Sequence, residues 1–151
     1  MTRTRRASAW DTHANQGGAA GTLAQRLAGL DGALRGFAQE IDPLWRRTAI
    51  LVVTEFGRTA AMNGTRGTDH GTGTCAFLLG GAVDGGRVVA DWPSLAPTAL
   101  LDNRDVRPTL DLRSLFKGVL EDHLLIDRSS LATRVFPDST GARPLHGLIR
   151  A

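Results

Sequence analysis

Ile50-Leu-Val-Val-Thr-Glu-Phe-Gly-Arg-Thr59 is the stretch on which the fold turns. Residues 50–53 are an unbroken apolar run, and Thr54, Glu55, a glycine and Arg58 end it abruptly. A strand buried on both faces reads this way, and such strands belong mainly to parallel sheets covered by helices. Ligands of open α/β sheets sit outside the carboxyl ends of the strands, so residues 54–58 mark the side of a site. Downstream, Asn63-Gly-Thr-Arg-Gly-Thr-Asp-His-Gly71 sets Asp69 and His70 between glycines. Upstream, Trp10-Asp-Thr-His-Ala-Asn-Gln16 adds Asp11 and His13. The three stretches are read as converging on one metal or anion site.

The 151 residues make one domain's worth of chain, with enough apolar side chains for a core. The net charge is only +3, and the basic residues are nearly all arginine, Lys117 being the single lysine. Charges of both signs alternate after residue 10, which describes a solvated surface and gives no reason to expect a nucleic-acid partner. Arg3, Arg5 and Arg6 belong to a basic arm, residues 1–9, expected to be disordered. That arm runs into Trp10 without the apolar segment of a signal peptide, and nothing approaches the ~20 apolar residues of a membrane span. As it stands the chain is therefore expected to be cytoplasmic, with no membrane partner. Cys75 is the only cysteine and opens the apolar run Cys75-Ala-Phe-Leu-Leu79, where a buried structural thiol is expected.

Leu23, Leu27, Leu30, Leu34, Phe37 and Ile41 recur at steps of three and four, predicting an amphipathic helix that Thr22 caps and Pro43 ends. Gly29, Gly32 and Gly36 each weaken that helix by about 1 kcal/mol relative to alanine, or else let it approach a sheet closely. Residues 75–79 predict a second strand. Gly80-Gly81 and Asp84-Gly85-Gly86 then punctuate a hairpin returning over residues 87–90. Asp111 is placed to cap a second helix with Leu112, Leu115, Phe116, Val119 and Leu120 on one face and His123 a turn beyond. From Asp127 the chain turns polar, with Val135-Phe136-Pro137 as the expected docking point, and His146 is given no role. The order of elements is that of an α/β protein.

Asp11 and His13, two apart, leave the same face of an extended segment. With Glu55, Asp69 and His70 they offer carboxylates and imidazoles, a donor set suited to zinc or manganese. A catalytic site of that kind needs about three protein ligands and an open position. Arg58 suits an anionic group held bidentately, or an ion pair with Glu55 or Asp69. The same residues also read as a polar network holding loops together without metal, and spacing leaves both readings open. Covalent phosphoryl transfer would need a hydroxyl or thiol nucleophile. Thr54, Thr59 and Thr68 are at hand, and nothing marks one as activated.

Four ordered motifs carry a family resemblance: residues 10–16, Thr54-Glu-Phe-Gly-Arg-Thr59, Gly67-Thr-Asp-His-Gly71 and Gly80-Gly-Ala-Val-Asp-Gly-Gly86. Together with Asp91-Trp92-Pro93 and Arg104-Asp105-Val106, they resemble the bacterial domain-of-unknown-function family 1501 (DUF1501), placed in the alkaline phosphatase/sulfatase-like superfamily. The resemblance covers residues 10–137, with 138–151 as a polar tail. It implies part of an α/β/α sandwich with a mostly parallel sheet and a hairpin, and hydrolysis of phosphate or sulfate esters. By motif position Asp11, His13, Glu55 and His70 are implied as metal ligands; Asp69, counted with the metal site, would orient a ligand, and Arg58 would contact the anion or brace Glu55. Phe56 stands where the superfamily has a histidine, so one divalent ion rather than two is expected. Longer relatives carry a twin-arginine export signal and an N-terminal half with the nucleophile position. The chain thus resembles the C-terminal portion, inactive alone, inclined to self-associate or to pair with the missing half. The competing expectation is a non-catalytic remnant or binding module without metal.

Overall fold

Two helices form where the apolar spacing places them. The leucine stripe gives α1, Thr22–Glu40, with Thr22 already inside its first turn rather than capping it. Pro43 falls in the first turn of a short second helix, α2, Asp42–Trp45, where its missing N–H costs nothing. The third, α3, spans Leu112–Leu124, and the Asp111 carboxylate caps it by accepting from the Arg113 N–H at 2.8 Å. It ends at Leu125, whose left-handed backbone (φ 54°) lets its N–H return to the carbonyl of Glu121. A computed structural model describes residues 10–150; the arm expected over residues 1–9 lies outside the described residues.

The chain forms two compact units, each gathered from three segments. One takes residues 10–40, 56–74 and 94–107, and the other residues 41–55, 75–93 and 108–150. The first contains α1 and a small sheet of β2, Gly57–Arg58, against β3, His70–Gly71. The second contains α2, α3, a short helix α4, Arg128–Ser130, and a sheet of β1, Ile50–Val52, against β4, Phe77–Leu79.

Both sheets are antiparallel, which corrects the expectation of a mostly parallel sheet. The β1 register runs Ile50 to Leu79 and Val52 to Phe77, so β4 lies back along β1. An apolar run carries no information about the direction of its partner, and here the strand is only half-buried, which also corrects the expectation of burial on both faces. The hairpin expected between residues 75–79 and 87–90 is also absent among the described residues. After β4 the chain instead passes against the turn following α2, with the Gly81 N–H on the Trp45 carbonyl (3.1 Å) and the Ala82 N–H on that of Thr48 (3.2 Å). Val83 then pairs with Ile149. Cys75 lies ahead of β4 and is exposed, correcting the expected buried thiol.

The buried apolar side chains among the described residues are Ala82, Val83, Leu115, Leu131 and Ala142, all in the second unit. Residues beyond 137 therefore contribute to its core, and Val135-Phe136-Pro137 is not the sole docking point. In α1 no residue is buried, and open space surrounds Gly29, Gly32 and Gly36 where close approach to a sheet was one expectation. No helix among the described residues is long and apolar enough to cross a membrane.

The Asp111 cap supports a direct test. Loss of an N-cap carboxylate costs about 1 kcal/mol, so Asp111→Ala should lower the urea midpoint by a corresponding amount. The Arg113 side chain, chiefly, holds the Asp111 carboxyl below its ordinary 3.8. A carboxylate depressed in the folded state stabilises above its unfolded value and loses that contribution as pH falls through the folded one. The gap between parent and variant should accordingly narrow as the pH drops below 3.8.

Candidate metal centre

The site is built on β2, β3 and the loops that flank them. Antiparallel pairing sets Arg58 directly opposite His70. The segment bearing Asp11 and His13 is laid against the glycine-rich loop by backbone bonds from Asn15 N–H to Thr65 (3.0 Å), Gln16 N–H to Arg66 (2.9 Å) and Thr68 N–H to Thr12 (3.3 Å). Asn63 organises that loop from within. Its amide donates to the His13 carbonyl at 3.0 Å and to Asp69 Oδ1 at 2.9 Å, and its carbonyl accepts from the Thr65 and Gly67 N–H groups, each at 3.0 Å. The Thr65 hydroxyl adds a second bond to the His13 carbonyl, at 2.7 Å.

Three ligand atoms meet at this junction. His13 Nε2 lies 3.1 Å from Asp11 Oδ1, His70 Nε2 lies 3.1 Å from the same oxygen, and the two Nε2 atoms are 3.2 Å apart. Asp11, His13 and His70 are the cluster of metal-capable side chains found among the described residues. All three are exposed, so an ion could enter from solvent. Asp69 stands behind them: its Oδ1 is 3.3 Å from His13 Nδ1, the far side of the ring from the cluster. A carboxylate there fixes the tautomer that leaves Nε2 free to bind a metal. The Phe56 ring lies over the His70 imidazole, with centroids 4.1 Å apart.

Arg58 completes the constellation. Its Nη1 donates to Asp11 Oδ1, its Nε to the Thr68 hydroxyl at 3.0 Å and its Nη2 to the Thr68 carbonyl. The His70 hydrogen bond, followed by that of Arg58 and the nearby His13, lowers the Asp11 pKa from 3.8 to about 2. Asp69 is likewise lowered, first by the Asn63 amide and then by His13. Both carboxyls are thus anionic at neutral pH, the form a metal ligand requires.

Of the residues singled out in the sequence, Asp11, His13, Arg58, Asp69 and His70 come together. Asp69 faces the His13 ring from the side away from the cluster. Glu55 belongs to the other unit and is not in the cluster. Arg58 pairs with Asp11, where Glu55 or Asp69 had been the expected partner. Asn63, Thr65 and the Thr12–Gln16–Thr68 chain of 2.8 Å hydrogen bonds were not anticipated. Only Asn63-Gly64 carried a signal, as a turn pair whose side chain bonds its own loop.

No curated protein and no solved structure matches the chain. One family model does, that of a protein of unknown function (DUF1501), over residues 3–135. The chain, with these motifs and this loop cluster, belongs to the DUF1501 family.

Proposed function

We propose that Asp11, His13 and His70 hold one divalent ion of the zinc class, and that the chain is the metal-binding portion of a hydrolase acting on phosphate or sulfate esters. The observation that carries the metal assignment is the triangle of 3.1, 3.1 and 3.2 Å between the three ligand atoms. Ligands at ~2.0 Å from a tetrahedral zinc stand ~3.3 Å from one another, so the spacing fits three vertices with the fourth open. Two imidazoles and one carboxylate favour zinc over the harder magnesium or calcium. A bound ion would polarise an ester oxygen or lower the pKa of water. The residues around it contribute orientation and charge: Asp69 holds the His13 tautomer, Phe56 braces the His70 ring, and Arg58 supplies the cation for an anionic group.

The phosphatase/sulfatase superfamily, and with it the ester substrate, rests on the motif resemblance. Little activity is expected of this chain by itself. The Thr59 hydroxyl is engaged with Ala61 and Asp69, and that of Thr68 with Arg58 and Gln16, so neither stands ready as a nucleophile. Leu27 and Phe37 are exposed on α1, which suits association with another polypeptide or a second copy. One observation favours the metal-free alternative: Arg58 already supplies Asp11 with a positive charge.

Titration calorimetry with zinc separates the two. The parent should bind one ion per chain, and His70→Ala, stripped of one ligand of three, should bind at least tenfold more weakly (about 1.4 kcal/mol). Absence of zinc binding by a folded parent would reject the metal reading and leave the polar network as structure.

A further inference from the structure

Arg58 presents a chemical conflict. Its guanidinium donates to Oδ1 of Asp11, the oxygen that forms one corner of the ligand triangle. A carboxylate oxygen is more basic toward a metal when no fixed cation leans on it, and a guanidinium remains charged at every accessible pH. The other two contacts of Arg58 do not involve the cluster: Nε and Nη2 both end on Thr68. The side chain is therefore tethered on one edge and engaged with the candidate ligand on the other.

We propose that Arg58 is an internal counter-cation that plugs the metal centre: it occupies Asp11 in the metal-free chain and swings Nη1 off the carboxylate when a divalent ion enters, while Thr68 keeps its other edge in place. Resting on the metal assignment above, this adds a mode of regulation. Metal affinity is set below what the three ligands alone would provide. Entry of the ion also turns a freed guanidinium N–H toward solvent beside the open coordination position, where an oxyanion can be held. The anion contact is thereby created by metal binding instead of standing ready beforehand.

The test compares zinc affinity of the parent and Arg58→Gln by calorimetry, with metal-free melts to establish that both are folded. Removing a charged hydrogen bond that competes for Asp11 should tighten zinc binding roughly tenfold or more in the variant. If the parent binds zinc and a folded Arg58→Gln binds equally or more weakly, the plug is wrong and the metal centre stands. If neither binds, the metal centre itself is wrong and the plug falls with it. Should Arg58→Gln fail to fold, side-chain nitrogen NMR of the parent decides. The Arg58 Nη1 resonance should show hindered rotation without zinc and lose it at saturation, while Nη2, held on the Thr68 carbonyl, stays hindered. A guanidinium equally hindered before and after saturation would overturn the proposal.

Discussion

Gly67→Ala should abolish the zinc binding proposed for Asp11, His13 and His70 while leaving those side chains chemically intact. A Cβ at Gly67 would stand 2.2 Å from both the carbonyl carbon and oxygen of His13, and 2.6 Å from the Ala14 nitrogen. These are backbone atoms and no rotamer change relieves the contact, so the segment bearing Asp11 and His13 must move off the loop bearing Asp69 and His70. That parting breaks the bonds from Asn63 and Thr65 to the His13 carbonyl and the Thr68 to Thr12 backbone bond. Overpacking of this kind costs about 1–3 kcal/mol. A displacement of an ångström or more also ruins a triangle whose sides are 3.1–3.2 Å. Gly64→Ala is the control in the same loop, because nothing lies within 4 Å of its added Cβ. In melts with zinc and with chelator, parent and Gly64→Ala should show a metal-dependent rise and Gly67→Ala none. An equal rise in both variants would mean that the juxtaposition of the two loops does not make the site.

The residues that meet at this loop junction were legible in the sequence because ligand chemistry is local. Asp11 and His13 share a face by simple alternation, and Asp69-His70 between glycines offers backbone that can bend toward them. Their convergence on one point also needed Asn63, which looks like an ordinary turn residue until its amide bridges His13 and Asp69. Glu55 was singled out because it ends an apolar strand. The strand is real, but its end belongs to the other unit. Helices α1 and α3 were readable from a period that is a property of each segment. Strand direction is a property of the partner, and β4 lies beyond residues 56–74, one of the three segments of the other unit. The half-burial of Ile50, Leu51 and Val52 is consistent with that outcome, since a two-stranded ribbon cannot cover both faces. Cys75 followed the same pattern: an apolar neighbourhood in sequence became an exposed position, and Phe77, inside the strand, is exposed too.

The C-terminal segment is where tertiary contacts override the sequence reading most strongly, and Gly118→Ala measures by how much. In an exposed helix the exchange would stabilise by about 1 kcal/mol, since alanine is the better helix former. Here a Cβ at Gly118 would stand 1.8 Å from the carbonyl oxygen of Leu145, closer than any side chain tolerates. The segment would have to lift from α3, and its attachments would go with it. The Leu145 N–H donates to the Ser114 carbonyl at 2.9 Å, and the buried Lys117 ammonium donates to the carbonyls of Ser139 (2.6 Å) and Ala142 (3.0 Å). Lys117 is 4% exposed, so parting it from both carbonyls without full hydration leaves a charge poorly solvated. Each hydrogen bond to a charged group contributes about 1.5–3 kcal/mol, so the loss outweighs the propensity gain several times over. Gly118→Ala should lower the stability of the second unit by roughly 3 kcal/mol or more, read as a shifted urea midpoint and faster exchange of the Leu145 amide. A variant as stable as the parent would show that propensity had won, and that residues 139–150 are not seated on α3. Lys117→Met separates the contributions: it removes the ammonium and keeps the stem, so its cost is that of the two carbonyls and the charge alone. The destabilisation should be ordered Gly118→Ala above Lys117→Met, because the added methyl unseats the whole segment while the lost charge leaves the Leu145 to Ser114 bond in place.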